Sequence, residues 1–284
     1  MAQRRKREAS KGSRNTKEIR QGWTLQRMAY GSKWHRSGLR DKSMLISYFL
    51  TFLGVKSPET RIDGADRSRL VEAIAATPGL GHALIYEPAS ATDPLLDVAT
   101  PPLLVLELRF SEIVDLEAAL ASSAPLQALA APGALSSLSG CAVSQQAMLT
   151  RSFPIAGAAF EVPAGTPRFS YLVSYEGSAE DLNTWLRHYL AKHVPIMARF
   201  PGIRQIEVCT RLDWCGQLPW PRVDYMLRNK VVFDSADALT VALHSPARHE
   251  MRKDYHAFPP FSGRVSHYPM SMAAILPAGA TPRA

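Results

Sequence analysis

Shifting the sequence by 123 residues against itself brings three separated blocks into register without a gap. ISYFLTFLG (46–54) falls on FSYLVSYEG (169–177), so that Ser47, Tyr48 and Gly54 meet Ser170, Tyr171 and Gly177. TPGLGHALIY (77–86) falls on FPGIRQIEVC (200–209), with Pro78-Gly79 on Pro201-Gly202. LRFSEIVDLEAALAS (108–122) falls on VVFDSADALTVALHS (231–245), matching Phe110, Leu116, Ala119, Leu120 and Ser122 to Phe233, Leu239, Ala242, Leu243 and Ser245. One register held over three blocks means two diverged copies of a single unit, and the fold must be one that a unit and its duplicate can share.

Each copy has the same order of local signals. The first block is a short apolar run ending at Gly, which suits a strand. A helix follows, over 66–76 in the first copy and 179–199 in the second, and Pro-Gly ends it. The second block is another strand. Next comes a Pro-rich loop (ATDPLLDVATPP; LDWCGQLPWPR), then a strand through 103–110 or 225–233. A second helix has Ser111 or Asp234 in a position that suits an N-cap. A last strand lies near 143–151 or 264–272. The order βαββαβ is the ferredoxin-like split βαβ unit. The expected fold class is therefore α+β: two tandem ferredoxin-like units packed sheet-to-sheet as an intrachain α/β barrel. One sheet face of each unit is covered by helices and the other is bare. Pairing the bare faces removes an exposed apolar surface, and the strands read as apolar on both faces, as such pairing requires. The expected organisation is a basic extension 1–43, a first, degenerate unit 44–153, a linker 154–167 (Pro, Gly and Ala without period), a second unit 168–273 and a tail 274–284.

Charge is divided unevenly. Of 33 Lys/Arg and 25 Asp/Glu, residues 1–43 hold 13 and 3, leaving 20 and 22 for the rest. The net charge of +8 thus belongs to the N-terminal arm, and a nucleic-acid partner is expected only through residues 1–43. That arm is polar, lacks an apolar signal core and is expected to be disordered on its own. Three readings stay open for it: an extension upstream of a functional start at Met44, a basic arm for acidic partners, or an organelle transit peptide. No run of eighteen apolar residues occurs, so no membrane span is expected. Cys141, Cys209 and Cys215 form neither an even set nor a CxxC pair, which argues against a disulfide framework and suits a reducing cytoplasm.

The second copy resembles the EthD family of the dimeric α/β-barrel superfamily. The residues that carry the resemblance are Tyr189, His193, Pro195, Pro201 and Gly202 in WLRHYLAKHVPIMARFPGI, then Phe233, Asp234 and Ser235 in VVFDSADAL, then Asp254 and Phe258 in KDYHAF. The likeness covers about residues 168–272 well and 44–151 more weakly. It implies a site between the helices and the sheet of one unit. It also implies a range of activities: ether degradation, lactone isomerisation, and dehydration or cyclisation of polyketides and aromatic catabolites. Most relatives use neither a metal nor an organic cofactor, so none is expected here.

His193 is the leading candidate for chemistry. Leu182, Trp185, Tyr189, His193 and Ile196 recur at helical spacing, so they share the face that meets the sheet. An imidazole there can serve as general acid or base, titrating near neutrality; the competing reading is a core histidine satisfied by one hydrogen bond. Tyr189 is a second catalytic candidate, one turn earlier, or else core filling. The shift places Leu70 opposite His193 and Ile62 opposite Trp185, so one active pocket per chain is expected. Tyr171, Trp185, Trp214, Trp220 and Tyr225 are candidate ligand-binding residues, with Trp214 and Trp220 forming either a lid or a packing surface. His188, five residues before His193 and about 140° round an α-helix, reads as exposed. His244, His249, His256 and His267 are scattered, and no metal site is expected. No phosphate loop or GxSxG elbow occurs.

Two functional classes compete. The first is a cofactor-independent isomerase or lyase of dehydratase type, acting on an apolar aromatic or lactone-like catabolite. The second is a non-catalytic accessory protein holding a small ligand, or haem with His193 as axial ligand. Further association into a homodimer is left open.

Overall fold

The computed structural model describes residues 45–54, 61–96, 100–155 and 166–275. The basic arm 1–43, most of the expected linker and most of the expected tail lie outside the described residues. The first half contains β1 (Leu45–Leu53), α1 (Gly64–Ala75), β2 (His82–Pro88), β3 (Leu104–Phe110), α2 (Ile113–Ala119), two short 3₁₀ turns (Pro125–Ala130 and Ser136–Leu138) and β4 (Ala142–Phe153). The second half contains β5 (Arg168–Glu176), α3 (Leu182–His188), a π-helical turn (Tyr189–His193), α4 (Val194–Met197), β6 (Gln205–Arg211), β7 (Tyr225–Phe233), α5 (Ala236–Leu243), α6 (Pro246–Tyr255) and β8 (Val265–Ile275).

The eight strands close a barrel in the order β1-β3-β2-β8-β5-β7-β6-β4, with every pairing antiparallel. Strand order within the halves is the same: β4-β1-β3-β2 and β8-β5-β7-β6. The halves do not stack as two separate layers. Their edges join through β2–β8 and β4–β6, so the barrel has no free edge to pair with another chain. Helices lie outside, and the faces without helices line the interior.

Local signals explain where the helices begin and end. Asp63 caps α1, its carboxylate accepting from the Asp66 N–H at 2.7 Å. The second helix of each half starts one residue later than the sequence suggests. Glu112 precedes α2 without a side-chain cap, and Ser235 caps α5 by accepting from the Ala238 N–H. Asp234 instead pairs with Arg168 and Arg204. After α1 and α4 the chain reverses through Gly79 and Gly202, whose φ of 71° and 73° explains the Pro-Gly pair in both copies. Helix α6 was not foreseen; Pro246 at its first turn is its clearest sequence signal.

The core has three parts. One lies between the helices and sheet of the first half, around Tyr48, Leu70, Leu106 and Leu116. The second is its counterpart in the second half, around Tyr175, Trp185, Tyr189 and Phe233. The third fills the barrel with Phe49, Leu84, Met148, Leu172 and Met270. Each fully buried large apolar side chain contributes roughly 1.5–3 kcal/mol. The expectation that both faces of every strand are apolar fails inside the barrel, where Glu107, Arg109, Glu207, Arg228 and Lys230 are all buried. Two carboxylates and two of the cations form one network: Arg109 and Lys230 each contact both Glu107 and Glu207 at 2.5–2.8 Å.

Candidate active site

A cavity of about 120 Å³ lies between the sheet and the helices of the second half. Val173, Met197, Phe200, Val231 and Leu243 give it apolar walls. The polar residues that line it are Tyr171, Tyr175, His193, Asn229, Arg248, Arg252, Tyr255 and His267.

His193 reaches this wall through the π turn. Pro195 has no N–H to donate and its ring crowds the carbonyl four residues back, which favours a wider turn just before it. The wider turn changes which residues share a face. Val194 and Met197 become buried, Ile196 is half-buried, and Leu182 at the start of the helix is 38% exposed. The regular α-helical stripe 182-185-189-193-196 therefore breaks at both ends. The same widening brings residues five apart toward one side. His188 is not exposed, as an α-helical angle implies; its Nε2 and the Nδ1 of His193 each lie 2.9 Å from an oxygen of Asp254 on α6. An ionised Asp254 fixes both tautomers, accepting Nε2–H from His188 and Nδ1–H from His193. The remaining nitrogen of His193, Nε2, then carries a lone pair and has no hydrogen-bond partner among the described residues.

Burial is the largest influence on His193, which is 3% exposed, and it lowers the imidazole pKa to about 4 against the opposing effect of Asp254. The sequence-based expectation of titration near neutrality is corrected accordingly: at pH 7 the ring is a neutral base. His267 on β8, set aside in the sequence as scattered, faces the same cavity, and burial, aided by Arg248, lowers it to about 4 as well.

The other wall comes from the first half. Its β2–β3 loop brings Leu96 to the cavity and Asp93 against two residues that line it. Oδ2 of Asp93 accepts from the Tyr171 hydroxyl at 2.9 Å and from Nε and Nη2 of Arg248 at 3.0 and 2.8 Å. Arg248 is thus buried, held in place and charge-compensated beside the cavity. Nothing in the sequence marks Asp93 or Arg248, because their link depends on a loop of one half lying on the other.

The equivalent loop of the second half makes the reciprocal contact. Trp214 packs edge-on to Tyr48 at 5.5 Å and Trp220 to Phe52 at 6.1 Å, both against the first half's core. Gln145 holds this loop, accepting from Tyr48 and donating to the carbonyls of Leu218 and Trp220. Tyr48 corresponds to Tyr171, and Trp214 to Ala91, in the 123-residue register. An indole occupies in one half the room that a methyl group leaves in the other. Trp214 and Trp220 are therefore packing residues of the first half and form no lid over the cavity. Trp214→Ala is expected to cost about 2 kcal/mol, less than the loss of a fully buried Trp because the ring is half-buried, and to leave ligand binding to the second half intact. Urea denaturation beside a binding titration checks both.

The other candidates also have definite places. Tyr171 lines the cavity. Trp185 and Tyr189 do not; they stack at 5.2 Å in an aromatic cluster with Tyr175, Phe258 and Phe261. The Tyr189 hydroxyl accepts from Asn229, a cavity residue, at 2.5 Å, and its ring lies against His193, so it is placed to position rather than to react. Tyr225 lies with its ring 4.9 Å from the Arg228 guanidinium and does not line the cavity. Of the residues on which the EthD resemblance rests, Tyr189, His193, Asp254 and Phe258 come together: Phe258 packs on His193 at 5.0 Å and on His188 at 5.3 Å, beside their shared Asp254. Among the described residues no group of His, Cys, Asp and Glu is arranged to hold a metal, and no helix is long and apolar enough to cross a membrane.

The eight-stranded barrel with outer helices is a fold that a solved structure shares. An anthrone oxidase-like protein superposes with a TM-score of 0.58 over 83% of this chain and 94% of its own, at 13% identity. The likeness is one of fold. An ethyl tert-butyl ether degradation (EthD) family protein from Bacillus halodurans matches 35% of this chain and 96% of its own at 19% identity, with a TM-score of 0.29. A chlorite dismutase variant from Candidatus Nitrospira defluvii matches 81% and 92% at 11% identity and a TM-score of 0.40. No family model and no curated protein sequence matches the chain.

Proposed function

We propose that this protein is a cofactor-independent isomerase or lyase of dehydratase type, acting on a small aromatic or lactone-like catabolite, with His193 as its general base. Its two halves are proposed to descend from one EthD-like, ferredoxin-like unit, the first having lost the site. The observation that carries the catalytic reading is the Asp254–His193 pair, which orients a cavity-lining imidazole and leaves its Nε2 as the free base. Such a nitrogen can take a proton from an acidic C–H, with Asp254 stabilising the imidazolium that results. The proton then returns either to another carbon, giving an isomer, or to a departing hydroxyl, which leaves as water. Arg248, fixed by Asp93, supplies positive charge beside the cavity for the enolate oxygen that develops.

Size supports a substrate whose reacting part is one ring: an apolar cavity of ~150 Å³ accepts benzene, and this one is about 120 Å³. Four linked pyrrole rings exceed that space, so the haem-binding alternative does not fit the residues as they stand, and no step is assigned to haem.

The test is proton–deuterium exchange into the acidic C–H of a panel of small lactones and hydroxyaryl ketones, followed by NMR in D₂O. The wild type is expected to accelerate exchange of at least one member, and His193→Ala to reduce the acceleration by about 10²–10⁴-fold. Equal rates for the two proteins would dispose of His193 as the base.

A further inference from the structure

A second polar centre lies inside the barrel, on the opposite side of the sheet from the cavity. Arg228 on β7 is 3% exposed and has no carboxylate partner among the described residues. Among the described residues its guanidinium reaches Thr51 Oγ1 from Nη2 at 3.3 Å and interacts with the Tyr225 hydroxyl, while Nε and Nη1 have no hydrogen-bond partner. Its guanidinium lies over the rings of Phe49 and Tyr225 at 4.8 and 4.9 Å. Glu107 and Glu207, the buried carboxylates of the barrel, are already shared between Arg109 and Lys230. Among the described residues the buried charged groups of the interior therefore carry one positive charge more than negative.

The unpartnered atoms around Arg228 are not scattered. Ser174 is its direct neighbour across β5–β7, Ser144 faces Thr51 across β1–β4, and Gln146 faces Phe49 in the same ladder. Ser144 Oγ, Ser174 Oγ and Gln146 Oε1 are buried with no partner. Gln146 is fixed at its other end, where Nε2 donates to the Tyr225 carbonyl at 3.0 Å. Ser174 beside Arg228, and Ser144 and Gln146 opposite Thr51 and Phe49, thus leave unpartnered polar atoms on the same interior face as the guanidinium, two of them hydroxyls able to donate. Buried polar atoms are nearly always bonded, and a lone buried cation is far more costly than a neutral group. Water would satisfy the hydrogen bonds and leave the charge.

We propose that this centre binds a small monovalent anion, halide-sized or a single carboxylate, held by Arg228 with Ser144 and Ser174. The site is separate from the cavity and stands whether or not His193 is a base. Full-length protein is melted while sodium gluconate, too bulky to enter, is replaced by sodium chloride or sodium formate at constant ionic strength. The melting temperature is expected to rise by several degrees and to saturate. Saturation with chloride alone assigns a halide site; saturation with formate assigns a carboxylate site. Arg228→Met is expected to melt higher than the wild type in gluconate and to lose the dependence on either anion, and Arg228→Lys to keep it with weaker affinity. If Arg228→Met does not fold, crystals of the wild type in bromide serve instead, with an anomalous peak expected beside Nε and Nη1. No saturable shift in the wild type, the same shift in Arg228→Met, or no bromide peak at Arg228 overturns the proposal.

Discussion

Asp254→Asn is expected to lower turnover by about 10²–10⁴-fold while leaving the fold in place. The carboxylate accepts from two imidazoles at once, one on each oxygen. An amide offers one accepting oxygen and one donating nitrogen, so one of the two rings must change tautomer. If the amide nitrogen faces His193, Nδ1 becomes the acceptor, Nε2 takes the hydrogen, and the base disappears from the cavity wall. If it faces His188, His193 keeps its tautomer but its imidazolium loses the countercharge. The pH dependence separates these effects from mere damage. In the wild type kcat/KM is expected to fall as pH drops through about 4, where His193 takes up a proton. Asp254 opposes the lowering caused by burial, so removing its charge moves that acid limb to still lower pH while the plateau falls. A structural role alone would lower the plateau and leave the limb in place.

How far the sequence carries toward this site depends on the range of each interaction. Strand positions and the Pro-Gly reversals are local and doubled by the repeat, so they could be read directly. Helical spacing set His193 on the face that meets the sheet, but Asp254 and Phe258 could be picked out only through a resemblance, and the convergence of the three could not be derived from spacing. The π turn is hidden because 3.6-residue periodicity presumes a regular helix; Pro195 is the one residue that signals otherwise. The loop exchange is hidden for another reason. Asp93 and Trp214 lie in loops whose composition says only that they are irregular, and each is placed by the half to which it does not belong. The same exchange explains why the Trp residues could be read equally as a lid or as packing: they fill a pocket, but it is the one in the first half. The interior charges were visible as residues and misread, because strands rich in Val and Leu look apolar on both faces when Glu107 or Lys230 is taken as a single exception.

Lys230→Met is expected to destabilise the protein by about 3–5 kcal/mol, the range for breaking a buried ion pair by removing one partner. Glu107 and Lys230 occupy the same position of the repeat, 123 residues apart, and meet at 2.8 Å inside the barrel. Burial by itself would raise the pKa of Glu107; Arg109 and Lys230 outweigh it and hold the carboxyl below its usual range. Without Lys230, two buried carboxylates share one guanidinium, and the Tyr86 hydroxyl loses the ammonium that donates to it at 2.9 Å. Glu107→Gln in the same chain restores one carboxylate to one guanidinium, Glu207 to Arg109, which still bond at 2.5 Å. The double variant is therefore expected to recover most of the loss, and a double-mutant cycle in urea measures the coupling. Additive losses would show that the pair is incidental. Strong coupling would show that the two halves are held together in part by opposite charges at equivalent positions of the 123-residue register.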